Sequence, residues 1–544
     1  MSTATTHNLE CGGDTSSQPP GTRFLGHREG DAIVLQPTPT NDPNDPLNWS
    51  ILRKTINMSL VSAATVVIFT QLSISSVFWQ QMIPELELTY DELNNSAAIG
   101  YVGLCLGCVL FIPFAIKFGR RTVYIISMGV MAATAFWSAK MNSLTELYVS
   151  SLLAGLAGAT NEAIVQMTVS DMFFVHKHGT MNGIYLVMVM LGSFLTPVAS
   201  GQQAADQGWR WCYWTLAIVD AVLFFALLFG YEETKYAAIT IRGVGGSTSD
   251  LAQEEVETNN SLKSDIKKSM QGTDLVTKTS SVVTSQPNIP MLSYRQRLRF
   301  ITKTDEKYLD LYVRPMRVLL TFPAVTYTAI QYGFCLCWIS AIASITAIIL
   351  PYPPYNFGTT AMGLTNLAPF IGSLLGTGLN GILGDWLIGW LARRNQGFYE
   401  PETRLYLLPL PVLTISGGLV MTGITAYNLM HWSLLLIGTG IFGFGFGAVS
   451  DASLTLTMDS YPDLVGESFI GISFVRNVIS IGVMFGLAPW IEAQGLQNVS
   501  IVFCFFSFVV SLLFVPVVIW GKRWRAKLAP TYHKMVAEKG HIRE

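Results

Sequence analysis

Apolar stretches long enough to cross a membrane recur twelve times along the chain, separated by short polar turns. A helix needs about 20 apolar residues to cross the hydrocarbon core of a bilayer, because each residue adds only about 1.5 Å of rise. One long hydrophilic segment divides the stretches into two groups of six. The predicted spans lie at residues 57–79, 95–116, 122–140, 146–170, 180–202 and 211–231, then at 320–349, 359–384, 405–426, 432–457, 467–490 and 497–520.

Polar segments flank and divide these groups, and they set the predicted domain boundaries. Residues 1–50 are rich in Thr, Ser, Pro, Asp and Gly, which predicts a disordered N-terminal tail. Residues 232–315 contain Ser/Thr tracts and many lysines, which is typical of a flexible linker. The two halves then cover residues 51–231 and 316–521, followed by a basic C-terminal tail at 522–544. The predicted fold class is an all-α membrane protein with twelve transmembrane helices in two six-helix halves.

Composition agrees with a membrane protein and argues against several other classes. Half of the 544 residues are hydrophobic, only 13% are charged and the mean hydropathy is +0.40, which is too apolar for a soluble domain. A net charge of −2 offers no basic face to a nucleic acid. The seven cysteines are scattered and most lie in apolar runs, so we expect neither a disulfide framework nor a metal site.

Basic residues concentrate in the loops on one side of the predicted bundle. Loops after even-numbered spans and both flanks of the linker contain most of the lysines and arginines, whereas loops after odd-numbered spans are mainly acidic and aromatic. Short cytoplasmic loops carry an excess of Lys and Arg, so both termini and the linker are predicted to be cytoplasmic. Glycosylation sequons at Asn94 and Asn498 then fall on the outer side, each close to the start of a helix.

The fourth and tenth spans each place an acidic residue inside an apolar helix. The sequence GATNEA at residues 158–163 is matched by GAVSDA at residues 447–452, with glycine, acid and alanine at the same relative positions. Carboxylates within a membrane are costly and usually functional, so Glu162 is the first candidate for proton or cation coupling and Asp451 the second. The alternative is a pair of glycine-rich packing helices whose acids are neutralised by structural partners.

Other polar and aromatic residues within the spans are candidates for a substrate cavity. Arg476 in span eleven is the expected charge partner of one acid, or a contact for an anionic substrate. Asp220, near the outer end of span six, is expected in a solvated vestibule. The chain has no phosphate-binding lysine loop, so we expect no cofactor and a proton gradient as the energy source. The predicted cavity residues are Gln71, Gln166, Gln331, Tyr332, Trp338 and Asn477, although aromatic residues within spans more often serve packing or lipid contact.

Two loops contain motifs that resemble those of the major facilitator superfamily, in particular its fungal twelve-span drug:proton antiporter-like branch. Residues 118–121 are similar to the signature between spans two and three, although Ile116 stands where the family usually has aspartate. Residues 381–386 and 399–405 resemble the loop between spans eight and nine of that branch. The resemblance implies a cytoplasmic gate of interacting bases and acids, in which Asp385 holds Arg393 or Arg394. The implied gate residues are Lys117, Gly119, Arg120, Arg121, Asp385, Arg393 and Arg394.

Span five carries a further motif of this branch. Gly192, Pro197 and Gly201 match glycine and proline positions of its antiporter motif, whereas Thr196 and Ser200 replace glycines. Proline and small residues let helices bend and approach closely, so this part of span five is the expected hinge.

Together these features predict a secondary active transporter whose halves rock around a central site. The resemblance implies the major facilitator fold and proton-coupled export of a drug-like or secondary-metabolite small molecule, and we expect a monomer in the plasma membrane. Uptake of a cationic nutrient such as a polyamine is the alternative, since the intramembrane charge is mainly acidic. A receptor fits the six-plus-six layout less well, and the lack of a catalytic constellation argues against an enzyme.

Overall fold

The computed structural model describes residues 19–24, 42–173, 175–235, 291–301, 308–395 and 398–540. Almost all of these residues are helical. The predicted disorder of most of the N-terminal tail, and the predicted flexibility of the linker over residues 236–290, fall outside the described part of the chain.

The N-terminal half is built from helices whose starts are capped by hydroxyl side chains. The side chains of Ser50 and Thr89 accept hydrogen bonds from the backbone N–H of Arg53 and Glu92, which satisfies donors that the first turn leaves free. After a 3-10 turn at Pro46–Asn48, the elements are α1 (Ile51–Ser73), a 3-10 segment (Ile74–Phe78), α2 (Trp79–Leu86), α3 (Tyr90–Phe118), α4 (Arg120–Lys140), α5 (Leu144–Gly158), α6 (Thr160–Met172), α7 (Val175–Met190), a π-helical segment (Leu191–Leu195), α8 (Thr196–Gln207) and α9 (Trp209–Gly230).

A short helix, α10 (Tyr294–Arg297), precedes the C-terminal half. The elements of that half are α11 (Tyr308–Thr321), α12 (Pro323–Ile349), α13 (Thr359–Thr365), α14 (Leu367–Arg394), a 3-10 segment (Pro401–Leu407), α15 (Pro409–Tyr427), α16 (Trp432–Ser460), a 3-10 turn (Pro462–Leu464), α17 (Val465–Ser511) and α18 (Phe514–Gly540). A two-stranded antiparallel sheet joins β1 (Arg23–Phe24) to β2 (Phe398–Tyr399).

Ten helical stretches of the described residues are long and apolar enough to cross a membrane. One of them, residues 462–538, contains predicted spans eleven and twelve and bends at Gly495, whose φ of +76° lies in the left-handed region that glycine tolerates. Predicted span four is absent from the ten because a break at Ala159 divides it into α5 and α6. The predicted all-α fold is confirmed, and the helices are consistent with twelve crossings.

Glycines bring neighbouring spans into backbone contact in the same way in both halves. A Cβ on Gly155 of span four would lie 2.0 Å from the carbonyl oxygen of Gly100 in span two. A Cβ on Gly376 of span eight would lie 2.0 Å from the carbonyl oxygen of Phe444 in span ten. Such small residues let helices pack closely without a hydrophobic driving force. The repeated contact fits the internal duplication that the sequence indicates.

We call the end of the bundle that carries residues 19–24, the linker flanks and α18 the terminal end. Residues 232–235 and 291–301, which belong to the predicted linker, are bound there to the N-terminal half. The backbone N–H of Leu292 donates to Asn44 Oδ1 at 2.8 Å, and Arg121 Nη1 donates to the carbonyl of Leu298 at 2.7 Å. The described linker flanks are therefore part of the N-terminal half.

Candidate functional site

A cavity of about 210 Å³ lies between the two halves. Its lining residues include Ser76, Ser96 and Thr346, which lie in the parts of their spans farther from the terminal end. The wall is mainly apolar and aromatic and includes the rings of Phe442 and Phe446. Several serine hydroxyls also line it. Such a surface suits an amphipathic small molecule, because rings supply contact area and hydroxyls supply a few directed hydrogen bonds.

Glu162 and Arg476 are the only charged side chains among the described residues that line this cavity. They form an ion pair between Arg476 Nη2 and Glu162 Oε1, and their side chains are only 4% and 2% exposed. Asn477 Nδ2 donates to Glu162 Oε2 at 3.0 Å, and the thiol of Cys108 donates weakly to the same oxygen at 3.7 Å. Both carboxylate oxygens therefore have partners, as a buried charge requires.

The partners of Glu162 come from both halves. Glu162 lies in the first turn of α6, directly after the helix break, whereas Arg476 and Asn477 lie on α17. Arg476 also donates to Asn477 Oδ1 at 3.3 and 3.2 Å and lies 5.5 Å above the ring of Tyr332. A carboxylate of one half is thus neutralised by a cation of the other, so its charge bears directly on how the halves fit together.

The second coupling candidate, Asp451, is held within its own half. Asn380 Nδ2 donates to Asp451 Oδ2 at 3.0 Å, joining spans eight and ten. Asp451 is not among the residues that line the cavity. The two acids of the duplicated motif therefore lie in different environments. Of these two, only Glu162 both lines the cavity and contacts the other half.

Asp220 is fully buried, so the expected solvated vestibule position is wrong. Its side chain is 0% exposed in the middle of α9. With its amide oriented to donate, Gln71 lies 3.2 Å from Asp220 Oδ2 and accepts from Thr134 Oγ1 at 3.1 Å. The helix turns Asp220 toward spans one and three, a direction that its position along the span did not reveal.

None of the six predicted cavity residues lines this cavity. All are buried, and Tyr332 and Asn477 lie directly behind the site, where they contact Arg476. Gln331 donates to Ser511 at 3.1 Å, which ties span seven to span twelve. Polarity within a span indicates a protein-facing side, but it does not say which neighbour that side meets. The other three members are Gln71, Gln166 and Trp338.

Hydroxyl residues that the sequence analysis did not select line the cavity instead. Tyr101 and Ser340 form a hydrogen bond from one half to the other. Within the N-terminal half, Ser96 and Ser151 form a hydrogen bond of 2.8 Å between spans two and four. Serines within otherwise apolar spans were the available signal, since their hydroxyls gain from facing a cavity rather than lipid.

At the terminal end of the N-terminal half, the loop around Gly119 is closed by a carboxylate from beyond span six. Glu233 accepts the backbone N–H groups of Arg120 and Arg121 at 2.9 and 3.2 Å. Burial raises the pKa of Glu233, and these N–H donors oppose that effect. Glu233 thus caps α4 where Ile116 departs from the usual aspartate. A Cβ on Gly119, whose φ is +112°, would lie 2.3 Å from Glu233 Oε2.

The bases of this loop have different partners. Arg120 forms an ion pair with Asp171 at the end of span four, with Nε and Oδ2 3.0 Å apart. Arg121 is 1% exposed and donates to the carbonyls of Leu228 and Tyr231 at 2.6 and 2.8 Å. Lys117 lies in the last turn of α3. These contacts hold the N-terminal half together at its terminal end.

In the C-terminal half the predicted partners of Asp385 are wrong. Arg404 lies 3.7 Å from Asp385 and 3.2 Å from Asp459, and it is the base that joins the ends of spans eight and ten. Arg393 and Arg394 are exposed, and the guanidinium of Arg394 lies 3.9 Å above the ring of Trp390. Helix α14 continues through Arg394, so both arginines project from a helix end beyond the reach of Asp385.

A sequence model of the Major Facilitator Superfamily matches residues 61–486. The chain belongs to the major facilitator superfamily. It is therefore a multi-pass membrane protein and a secondary transporter of small molecules, not an enzyme.

Three proteins to which this chain is similar are fungal. An uncharacterized MFS-type transporter of Schizosaccharomyces pombe is 31% identical over 541 residues, covering 95% of this chain and 92% of the relative. Protein HOL1 of Saccharomyces cerevisiae is 26% identical, covering 91% and 90%. Efflux pump radE of Floropilus chiversii is 23% identical, covering 80% and 74%. The solved structure of the proton:xylose symporter XylE matches with a TM-score of 0.55 at 10% identity, covering 87% of this chain and 96% of that chain, which supports the fold alone.

The motif of span five lies at two close contacts between helices of this transporter. A Cβ on Gly192 would lie 2.5 Å from the carbonyl oxygen of Val66 in span one. A Cβ on Gly201 would lie 2.6 Å from the carbonyl oxygen of Thr359, in the other half. The π-helical segment Leu191–Leu195 precedes Pro197 and interrupts the regular helix. Both predicted hinge glycines thus lie at contact points, Gly192 within its half and Gly201 between the halves.

The two predicted glycosylation sites of this transporter differ in exposure. Asn94 is 1% exposed, and its Nδ2 donates to the carbonyl of Met484 in the other half at 2.8 Å. Asn498 is exposed and donates to the carbonyl of Gln494 at 2.9 Å. A glycan on Asn94 does not fit this arrangement, because the amide nitrogen is enclosed between the halves.

Proposed function

We propose that this transporter exchanges protons for a drug-like or secondary-metabolite small molecule and exports that molecule from the cell. The observation that carries the proposal is that Glu162 is the single carboxylate among the described residues that line the cavity. One carboxylate binds one positively charged group at a time, which is either a proton or a basic group of the substrate. Competition for one site produces exchange, and an inward proton gradient then drives outward movement of the substrate.

The ion pair offers a physical route from proton binding to movement of the halves. A protonated Glu162 is neutral and no longer attracts Arg476, which weakens the link between α6 and α17. Asn477 Oδ1 and the ring of Tyr332 remain beside the guanidinium. The energetic cost of separating the halves therefore falls when the proton binds, which is the differential interaction that a conformational change needs.

The distribution of charge supports a proposed orientation in the membrane. Lysines and arginines in loops at the terminal end favour a cytoplasmic location for both termini and the linker. The cavity then belongs to the outward-facing part of the bundle. The proposal also includes a monomeric protein in the plasma membrane that binds no cofactor and uses a proton gradient as its energy source. The name of the radE relative, an efflux pump, supports export.

Uptake of a cationic nutrient such as a polyamine is the second candidate. It is favoured by two acids away from the cavity, the buried Asp220 and the partly buried Asp451. Either of them provides a separate place for a proton while Glu162 binds the cation. Proton and substrate then travel together, which is symport.

The test is substrate-evoked proton flux in sealed proteoliposomes that contain the full chain. A panel of amphipathic and cationic compounds is applied to wild type, Glu162→Gln, Glu162→Asp and Asp451→Asn. We expect a transported compound to move protons in the opposite direction in wild type, Glu162→Asp and Asp451→Asn, and to move none in Glu162→Gln, which also lacks the carboxylate that holds the basic group of the compound. Undiminished flux in Glu162→Gln would reject Glu162 as the coupling site, and flux in the same direction as the compound would replace antiport by symport.

A further inference from the structure

A short piece of the N-terminal tail lies on the C-terminal half of the transporter. Residues Arg23 and Phe24 pair antiparallel with Tyr399 and Phe398 in the loop between spans eight and nine. The chain then reaches the N-terminal half at Asp42, so the tail connects one half to the other. We call residues 19–24 the tail latch.

Arg525 forms the centre of the surface on which the tail latch lies. Its side chain is 1% exposed, and its Nε and Nη2 donate to Glu402 at 2.8 and 2.7 Å. Nη2 also donates to Glu400 at 2.6 Å. The remaining nitrogen, Nη1, donates to the carbonyl of Pro20 and to Thr22 Oγ1, the latter at 3.2 Å. The tail therefore supplies the acceptors for Nη1, and a buried donor without an acceptor is costly.

The same surface selects a glycine in the middle of the turn. Gly21 has a φ of +84°, and a Cβ there would lie 2.4 Å from the carbonyl oxygen of Asp459 and 2.9 Å from Ser460 Cα. Any side chain at this position meets rigid backbone as well as an unfavourable conformation. The backbone N–H of Thr22 closes the turn on the carbonyl of Pro19 at 3.2 Å.

Thr22 places a neutral hydroxyl against a carboxylate. Its Oγ1 donates to Glu400 Oε2 at 3.0 Å, and Lys522 Nζ lies 2.7 Å from the other oxygen of Glu400. The cluster already balances two carboxylates with Arg525 and Lys522. A negative charge at position 22 would add a third anion to two cations and oppose docking.

We propose that this face of the C-terminal half is a binding site for the chain's own Pro-Gly-Thr turn, and that the tail latch is releasable. It is attached by a two-residue strand pairing and a few polar contacts. The seventeen residues between positions 24 and 42 reach about 60 Å when extended. The latch therefore stays docked while the halves rock, and its release does not alter the Glu162 site.

The experiment measures trypsin cleavage after Arg23 in the purified full chain. Cleavage of a docked segment follows the population of the released form. We expect Gly21→Val and Thr22→Asp to be cleaved at least about tenfold faster than wild type, whereas Thr22→Asn and Thr22→Ser stay within about twofold. Proton-coupled transport by all four variants should match that of wild type.

A synthetic peptide of residues 17–26 provides a second measurement on the unaltered chain. In excess, it should displace the tail latch and raise wild-type cleavage after Arg23, while the same peptide with Gly21→Val should have no effect. Equal cleavage of wild type and Gly21→Val, or no effect of the peptide, would overturn the proposed binding site. Equal cleavage of Thr22→Asp and Thr22→Asn would overturn the role of charge.

Discussion

At the scale of single residues, the charge balance around Glu162 distinguishes it from Asp220 and Asp451. Arg476 neutralises Glu162 from the other half, whereas Asp451 and Asp220 have amide partners within their own halves. A buried ion pair contributes little net stability, but loss of one partner leaves an uncompensated charge. The pair is therefore better suited to controlling a conformational change than to stabilising one conformation.

Replacing Arg476 alone should destabilise the protein more than replacing both partners. In Arg476→Gln the Glu162 carboxylate stays buried without its cation, a change that costs about 3–5 kcal/mol in other buried pairs. The double variant with Glu162→Gln restores neutrality and should recover more than half of that loss. Thermal unfolding midpoints of the four detergent-purified proteins form a double-mutant cycle. Additive effects of the two substitutions would contradict a direct charge interaction.

Glu400 gives the surface of the tail latch a defined pH dependence. Burial raises the pKa of Glu400, but hydrogen bonds from Lys522, Arg525 and Thr22 outweigh it, so the pKa is lowered from 4.5. Because the folded pKa lies below the unfolded pKa, the ionised carboxylate stabilises the fold above the unfolded value. That contribution is lost as the pH falls through the folded value.

The matching measurement compares unfolding midpoints of wild type and Glu400→Gln across pH. The difference in favour of wild type should be constant at neutral pH and should shrink as the pH falls below 4.5. A difference that grows on acidification would show that the carboxylate is destabilising in the folded protein.

At the scale of elements, two features shape the site: close glycine contacts and the break in span four. Gly155 and Gly103 let spans two and four touch through their backbones. The break at Ala159 then starts a new helix, and Glu162 lies in its first turn, where the helix dipole favours a negative charge. These local features aim Glu162 at α17.

Gly155→Ala and Gly417→Ala should have opposite effects on stability. The Cβ at position 155 would lie 2.0 Å from the carbonyl oxygen of Gly100, whereas nothing lies within 4 Å of a Cβ at position 417. Overpacking at position 155 should cost about 1–3 kcal/mol, while the better helix propensity of alanine at position 417 is worth up to about 1 kcal/mol. Unfolding midpoints in the same detergent test this. A loss of similar size at both positions would argue that the close contact is not the cause.

At the scale of the whole molecule, the described flanks of the linker both bind the N-terminal half, so only part of the linker connects the two halves. Residues 232–235 and 291–301 bind the N-terminal half through Arg121, Glu233 and Asn44. The residues between these flanks leave from and return to the same half. The mechanical connection to the C-terminal half therefore begins only after residue 301.

Removing residues 241–286 should accordingly leave transport within about twofold of wild type, since a shorter loop between two points of one body changes only its closure entropy. A deletion of residues 241–296 is the matched control. It also removes Leu292 and Tyr294, which bind Asn44 and the carbonyl of Phe229, and should reduce both folded yield and transport. The measurement is the transport rate per folded protein in proteoliposomes for wild type and both deletions. Equal losses in both deletions would mean that linker length itself is required.

The sequence by itself determined the class of protein, its all-α fold, the approximate position of its long apolar helices and the two acids of the duplicated motif. These follow from local quantities, since the length of an apolar run and the cost of a buried charge need no knowledge of neighbours. Only the tertiary structure decided that Glu162 meets Arg476, that Arg404 rather than Arg393 reaches Asp385, and that Glu233 caps α4. Those pairings depend on how far each helix is rotated and which helix lies beside it, and hydrophobic spacing along one helix does not encode either.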